Sequence, residues 1–217
     1  MPLYTADALV LRTYKLGEAD RIVVFLTRDR GKKRGVAKGA RRPRSRFMGA
    51  LEPLTEVRVA YFEKERRELV GLNYAETIRS PLAHEAYHDS LGYVGYFAEL
   101  LDEWAQEADA DDRLYRLGAS MLDALAAGAP VEPLARYFEY WLLRLQGVYP
   151  EAKGTLSPGA IAFLTASRSV APDRVGELPA ERRTMTELEN VHRALIAMHL
   201  EKTLKSDRVL RDLRRQS

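Results

Sequence analysis

An α+β chain of two unlike domains is expected, a small five-stranded β-barrel over residues 1–80 followed by an all-α domain over residues 81–217. Three observations support this. Apolar residues alternate with a period of two up to residue 78 and recur every three to four residues afterwards. Glycines punctuate the first part at short intervals, whereas Pro81, after Ser80 as a cap, opens the second where a first helical turn would begin. Charge reverses at the same place: residues 1–80 carry 18 Lys and Arg against 10 Asp and Glu, residues 81–147 carry 4 against 12, and residues 148–217 carry 12 against 9. Net charges of +8, −8 and +3 are thus hidden in a chain whose total is only +3, which points to a basic module and an acidic one with different partners.

The strands follow in order. Ala6, Ala8 and Val10 with the apolar run Leu9 to Leu11 make the first, and residues 22–26 the second, after a turn at Leu16, Gly17 and Glu18. Another turn falls at residues 29–31. Gly35, Val36 and Ala37 begin a third strand, residues 55–62 alternate through Val57, Val59 and Tyr61, and residues 69–78 close the set after a charged loop at 63–68. Five short strands in so few residues point to a small barrel, with basic side chains crowding its second and third turns.

The helices are read from apolar stripes. Tyr93, Tyr96, Phe97, Leu100, Leu101 and Trp104 share one helical face, as do Leu114, Leu117, Met121, Leu122 and Leu125, before Gly128 and Pro130 stop the second helix. A third stripe, Leu134, Tyr137, Phe138, Trp141, Leu142 and Leu145, ends at Gly147. Such stripes are core. Ser157, Pro158 and Gly159 introduce a short helix over 160–166, and residues 170–179 are irregular. A long helix over 180–204 turns Leu188, Val191, Leu195, Met198 and His199 inward, and Ser206 caps a last basic helix over 207–215.

Several chemistries are excluded or weakly supported. Without cysteine there is no disulfide, zinc ribbon or thiol nucleophile, and no cofactor is expected. Residues 1–14 lack a signal-peptide pattern and no apolar run is long enough to span a bilayer, so a soluble, cytoplasmic protein without membrane contact is expected. Neither a phosphate-binding G-x-x-x-x-G-K-[ST] loop nor a G-x-G-x-x-G fingerprint occurs. His84, Glu85 and His88 fit H-E-x-x-H, in which two imidazoles on one helical face hold zinc beside a glutamate base; a zinc metalloprotease is the competing reading. Leu91 stands where the extended form of that motif needs glycine, and no third ligand is marked. The acids Glu99, Asp102, Glu103, Glu107, Asp109, Asp111 and Asp112 read as a solvated helix end rather than a nuclease metal site. His192 and His199 read as a satisfied or surface pair.

The strongest signal is basic. Residues 28–46 hold ten cations, Arg28, Arg30, Lys32, Lys33, Arg34, Lys38, Arg41, Arg42, Arg44 and Arg46, against the single acid Asp29. Solvated faces usually mix signs, because like charges within a Debye length of about 8–10 Å repel. An anionic partner is therefore expected, and no amphipathic anchor favours a membrane. Gly35, Gly39, Pro43 and Gly49 keep this backbone extended or turning, so the arginines project from strands and a loop rather than from a groove-reading helix. That is the setting of an OB-type barrel, which binds single strands with cations for phosphates and aromatic rings for bases. Arg34, Lys38, Arg41, Arg42, Arg44 and Arg46 are the expected phosphate contacts. Phe47 is the preferred stacking ring among Phe47, Tyr61, Phe62 and Tyr74, and a general single-strand or RNA-binding module remains an alternative.

These residues also carry a resemblance. Ala8-Leu9-Val10-Leu11-Arg12, Gly17-Glu18-Ala19-Asp20-Arg21-Ile22-Val23 and Gly31-Lys32-Lys33-Arg34-Gly35-Val36-Ala37-Lys38-Gly39-Ala40-Arg41-Arg42 resemble the RecO family of bacterial DNA repair proteins. So do Ser45-Arg46-Phe47 with Leu51-Glu52-Pro53, Arg136-Tyr137-Phe138-Glu139 with Leu142-Leu143-Arg144-Leu145, Leu156-Ser157-Pro158-Gly159-Ala160 and Leu204-Lys205-Ser206. The resemblance implies a recombination mediator, not an enzyme. Its OB-fold barrel and helical domain would bind single- and double-stranded DNA, anneal complementary strands and, with RecR and the single-strand-binding protein, load RecA at the bacterial nucleoid. It also implies a cysteine zinc ribbon between the stretches matching Leu145 and Leu156; residues 146–155 contain no cysteine, so the ribbon insertion is absent. Arg136, Tyr140 and Arg144, at i, i+4 and i+8, are the residues expected to receive the acidic C-terminal tail of the single-strand-binding protein.

Overall fold

The computed structural model describes residues 2–63, 68–83, 87–107, 109–150, 156–206 and 209–210. Five strands, β1 (Leu3–Leu16), β2 (Asp20–Thr27), β3 (Gly31–Ala37), β4 (Glu56–Phe62) and β5 (Val70–Arg79), close a barrel in the order β1-β2-β3-β5-β4. Closure is parallel and short, resting on Gly35 opposite Val70 and Val36 opposite Gly71. Gly35 permits it, since a Cβ there would stand 2.1 Å from a methyl of Leu72. The five-stranded barrel is as expected, with one correction: residues 35–37 end the third strand instead of beginning it. Pairing with β2 starts already at Gly31, and Gly39, at φ 70°, turns the chain away two residues after Ala37.

Period-two alternation fills the interior. Ala6, Ala8 and Val10 of β1, Val23 and Phe25 of β2, Val57, Val59 and Tyr61 of β4, and Leu72 and Ala75 of β5 form one buried cluster. The opposite face of β1 and β2 is dry at one end: Leu9 and Leu26 face each other across the strands and are fully buried. Two helices follow, α1 (Tyr87–Trp104) and α2 (Asp112–Ala126), and part of each covers that outer face. Gly118 of α2 lies so close that a Cβ would stand 2.7 Å from methyls of both Leu9 and Leu101.

By packing, the chain divides into two compact units, residues 1–83 with 97–119, and residues 84–96 with 120–217. In the first, acids from 97–119 pair with barrel cations. Asp102 lies 2.8 Å from Arg12 and 3.3 Å from Lys32, and Asp112 is 2.9 Å from Arg28. Tyr115 donates to Glu56 at 2.6 Å, and burial with that bond raises its hydroxyl well above the ordinary tyrosine value. The Lys32 amide donates to the carbonyl of Gln106 at 3.0 Å, so residues 106–107 run as a short strap along the edge of β3 that β5 leaves open. Asp111 caps α2, accepting from the amides of Arg113 and Leu114. Of the acids in 99–112, Asp102 and Asp112 thus serve the barrel and Asp111 the helix start, and no cluster of metal-ligating side chains occurs among the described residues.

The second unit adds α3 (Val131–Leu145), α4 (Pro158–Ala166) and α5 (Arg182–Leu200). Ser157 caps α4, and the Glu187 carboxylate accepts from both its amide and its hydroxyl, which holds Glu187 below the usual carboxylate range. Residues 172–177 form a 3-10 turn within the stretch expected to be irregular. α3 is buried almost all round, polar residues included. Two expected faces are therefore corrected. Trp141 is only partly buried, donating its indole N–H to the Ser167 carbonyl, while Tyr140 takes the interior. On α5 the inward residues are Thr184, Met185, Leu188, His192 and Ile196; Met198 is 73% exposed and His199 also faces water. An apolar stripe drawn without His192 points the wrong way, because its ring is buried against Glu139 at 2.9 Å. His192 is the satisfied histidine expected. Of the basic helix expected over 207–215, all but Val209 and Leu210 lies outside the described residues.

Candidate nucleic-acid interface

Four of the ten cations in residues 28–46 have acidic partners: Arg28 with Asp112, Arg30 with Asp29, Lys32 with Asp102, and Lys33 with Glu63 at 2.7 Å. Arg34, Lys38, Arg41, Arg42, Arg44 and Arg46 are exposed and make no ion pair among the described residues. These six are the expected phosphate contacts, and folding leaves them as a field of one sign, which attracts polyanions and repels itself.

The loop that carries five of them is built from consecutive turns. Amides of Arg42, Ser45, Met48 and Ala50 each donate three residues back, to Gly39, Arg42, Ser45 and Phe47, at 3.0–3.1 Å. Arg44 holds φ at 61°, a left-handed conformation that costs an L-residue about 1–2 kcal/mol. The turns are tied to the β1–β2 hairpin: the Arg41 amide donates to the Ala19 carbonyl at 2.9 Å, its guanidinium to the Gly17 carbonyl at 2.8 Å, and the Gly39 amide to Asp20 at 2.7 Å. Phe47 is the correction here. It is 2% exposed and belongs to the barrel core, so its ring anchors the loop and presents no face to a base. Arg46 lies over that ring at 5.0 Å. Tyr61 is likewise interior, and burial pushes its hydroxyl up to about 12.

Strand register adds residues outside 28–46. Lys15 stands directly opposite Arg21 on the hairpin, beside the turn that holds Arg41. Like charges directly opposite are destabilising in an antiparallel pair. Neither makes an ion pair among the described residues; Arg21 donates only to the Thr13 hydroxyl, at 3.4 Å. Their spacing about the Glu18 turn was the available signal. On the outer face of the same strands, Arg12, Val24 and Arg34 form one cross-strand row, and Tyr14, Ile22 and Val36 the next.

The second expected site is rearranged. Arg136 is 3% exposed and ion-paired to Glu139 at 2.8 Å and Glu189 at 3.4 Å, so it offers nothing to an incoming carboxylate. Tyr140 is buried, its ring edge-on to Tyr149 at 5.0 Å. Only Arg144 of the three is exposed. Arg168, which periodicity could not connect to it, joins it: both guanidinium groups donate to the Tyr140 hydroxyl, at 3.2 Å and 2.7 Å. Of the H-E-x-x-H residues, His84 and Glu85 lie outside the described residues, as does the side chain of His88.

Family models for the N-terminal and C-terminal parts of recombination protein O match residues 1–81 and 88–154. The chain belongs to the RecO family. Among RecO proteins, the DNA repair protein RecO of Koribacter versatilis is 42% identical over 149 residues, covering 69% of this chain and 61% of that protein. That of an Anaeromyxobacter species is 38% identical over 152 residues, 70% of this chain and 60% of the relative. That of Pelotomaculum thermopropionicum is 30% identical over 241 positions, 95% of this chain and 93% of the relative. The match to the first two RecO proteins thus spans about three-fifths of their length. The Pelotomaculum alignment is longer than the 217 residues of this chain, which requires insertions in that relative. The family's OB-fold is the barrel described above, and no described helix is long and apolar enough to cross a membrane.

Proposed function

We propose that this RecO-family chain is a recombination mediator of the bacterial cytoplasm, acting at the nucleoid. It binds single- and double-stranded DNA through Arg34, Lys38, Arg41, Arg42, Arg44 and Arg46, anneals complementary strands and, with RecR, helps load RecA onto DNA coated by the single-strand-binding protein. The observation that carries this reading is the set of six exposed cations without acidic partners among the described residues, on strand β3 and a turn-built loop at one end of an OB barrel. Phosphates neutralise that field and release counterions, so affinity falls steeply with salt. No bond is broken and no nucleotide is used in this scheme. The acidic tail of the single-strand-binding protein is received at Arg144 with Arg168, exposed guanidinium groups that converge on one hydroxyl and match carboxylates.

The test is ATP-free annealing of complementary oligonucleotides coated with the cognate single-strand-binding protein. Wild type anneals them; the Arg41→Ala, Arg42→Ala, Arg44→Ala, Arg46→Ala variant does not. Its DNA affinity also depends less steeply on salt, by about 0.7–0.9 in log–log slope for each phosphate that is no longer neutralised. A wild-type protein that binds bare strands but never anneals coated ones is a general single-strand-binding module. Equal annealing by both proteins removes the loop from the mechanism.

A further inference from the structure

With Phe47 and Tyr61 in the core, neither ring presents the aromatic face that single-strand binding ordinarily uses. Strand register supplies one. Val23 and Ala37 belong to the barrel interior, so the rows holding Thr13 and Lys15 point inward, and the alternate rows point out. Across β1, β2 and β3 the outward rows are Tyr14–Ile22–Val36 and Arg12–Val24–Arg34. Tyr14 is 40% exposed, Ile22 and Val36 are half-buried, and Arg34 is exposed. The result is an apolar strip with an aromatic ring at its β1 end and, next to its β3 end, a cation with no acidic partner among the described residues.

The ring is also held. The Arg12 guanidinium lies 4.8 Å from the Tyr14 centroid and so occupies one face of it. Arg12 is fixed in turn by its ion pair with Asp102, a carboxylate almost wholly buried at the helix end. Cation–π contact on one face orients the ring and leaves the other for stacking. A side chain kept as a mere surface filler would not need that chain of support.

We propose that Tyr14 is a base-stacking residue of this protein, taking one unpaired nucleobase of a single strand on the outer face of β1–β2–β3, with Arg34, two strands away on β3, on a phosphate of the same nucleic-acid strand. The inference rests on the single-strand binding proposed above and names a contact within it. A paired base is already stacked on both sides, so duplex binding does not use the ring.

The experiment measures affinity for a single strand carrying 2-aminopurine and for a duplex of the same length, at several salt concentrations, for wild type and for Tyr14→Ala, Tyr14→Leu and Tyr14→Phe. Tyr14→Ala and Tyr14→Leu should lose about 5- to 150-fold in single-strand affinity, the range for one base stacked on one ring. Duplex affinity and the salt slope should stay as in wild type, and Tyr14→Phe should behave as wild type. Quenching of 2-aminopurine on binding should fall in the Ala and Leu variants. Should Tyr14→Ala fail to fold, the Leu and Phe variants decide, since Leu keeps the apolar bulk without the ring. Single-strand affinity of Tyr14→Leu equal to wild type overturns the inference. A wild-type chain with no single-strand affinity overturns the reading on which it rests.

Discussion

The Phe47 ring fastens the basic loop to the barrel core, so its removal reads out in stability and not in binding. Phe47→Ala should lose about 3–5 kcal/mol in urea unfolding, while the variant that remains folded keeps its salt-dependent DNA affinity. Glu139 is the acceptor for Arg136, Tyr96 and His192. Glu139→Gln leaves a buried guanidinium with a weaker partner, and unfolding should lose up to about 3–5 kcal/mol, the range for breaking a buried pair. Neither role was legible in the sequence. An aromatic residue next to an arginine has the same sequence neighbours whether it faces water or the core, and only the three-residue turns around it decide. Spacing placed Arg136, Tyr140 and Arg144 on one helical flank correctly. It could not say that Arg136 and Tyr140 lie inside, because charge ordinarily marks exposure and here Arg136 is satisfied by Glu139 and Glu189. The basic stretch was legible for the opposite reason: six of its cations, Arg34 and five on the loop, have no acidic partner among the described residues.

The strap along β3 is an element that pattern reading cannot reach. Residues 106–107 pair with the strand by one amide and one bridge, and their apolar period says nothing about it. Gly31 allows the approach: at φ 67°, a Cβ there would stand 2.4 Å from the Asp109 carbonyl oxygen. Gly31→Ala should lower the melting temperature and speed hydrogen exchange at the Lys32 amide more than at amides in the β1–β2 ladder; equal protection at Lys32 in both proteins would show that the strap moves aside at no cost. The cap of α4 gives a second expectation. Ser157→Ala should cost about 0.5–2 kcal/mol at neutral pH. Because Glu187 is held below its ordinary 4.5, its share of that stability is present above the ordinary value and is lost as pH falls through the lower, folded one. The gap between variant and wild type should therefore narrow in acid. The positions of α1, α2, α3 and α5 were readable from apolar period and that of α4 from its Ser157-Pro158-Gly159 start; helix faces failed where polar residues were buried, on α3 and α5.

Charge, read along the whole molecule, suggested two modules with separate partners, and packing gives part of the acidic stretch a different task. Asp102 and Asp112 cancel Arg12, Lys32 and Arg28 within the barrel unit, so the proposed binding surface is what those acids do not reach. Stability at high pH is likewise a property of both units. Burial pushes Tyr61 in the first and Tyr149 in the second up to about 12, and raises Tyr137 as well. The unfolded chain gives up these protons near pH 10 and the folded one retains them, so stability is intact below about 10 and declines as pH rises towards about 12. Urea midpoints followed with tyrosinate absorbance across that interval should fall together; midpoints flat to pH 12 would contradict the burial. The partnership of the barrel with residues 97–119 also has a meaning in time. When a ribosome has delivered residue 79, all five strands exist, yet Leu9 still lacks the cover that Gly118 and Leu101 provide. At about 5–20 residues per second that cover arrives roughly 2–8 s later. For that interval the nascent barrel carries a wet apolar face, and a chain released there is the form of this protein most prone to aggregate.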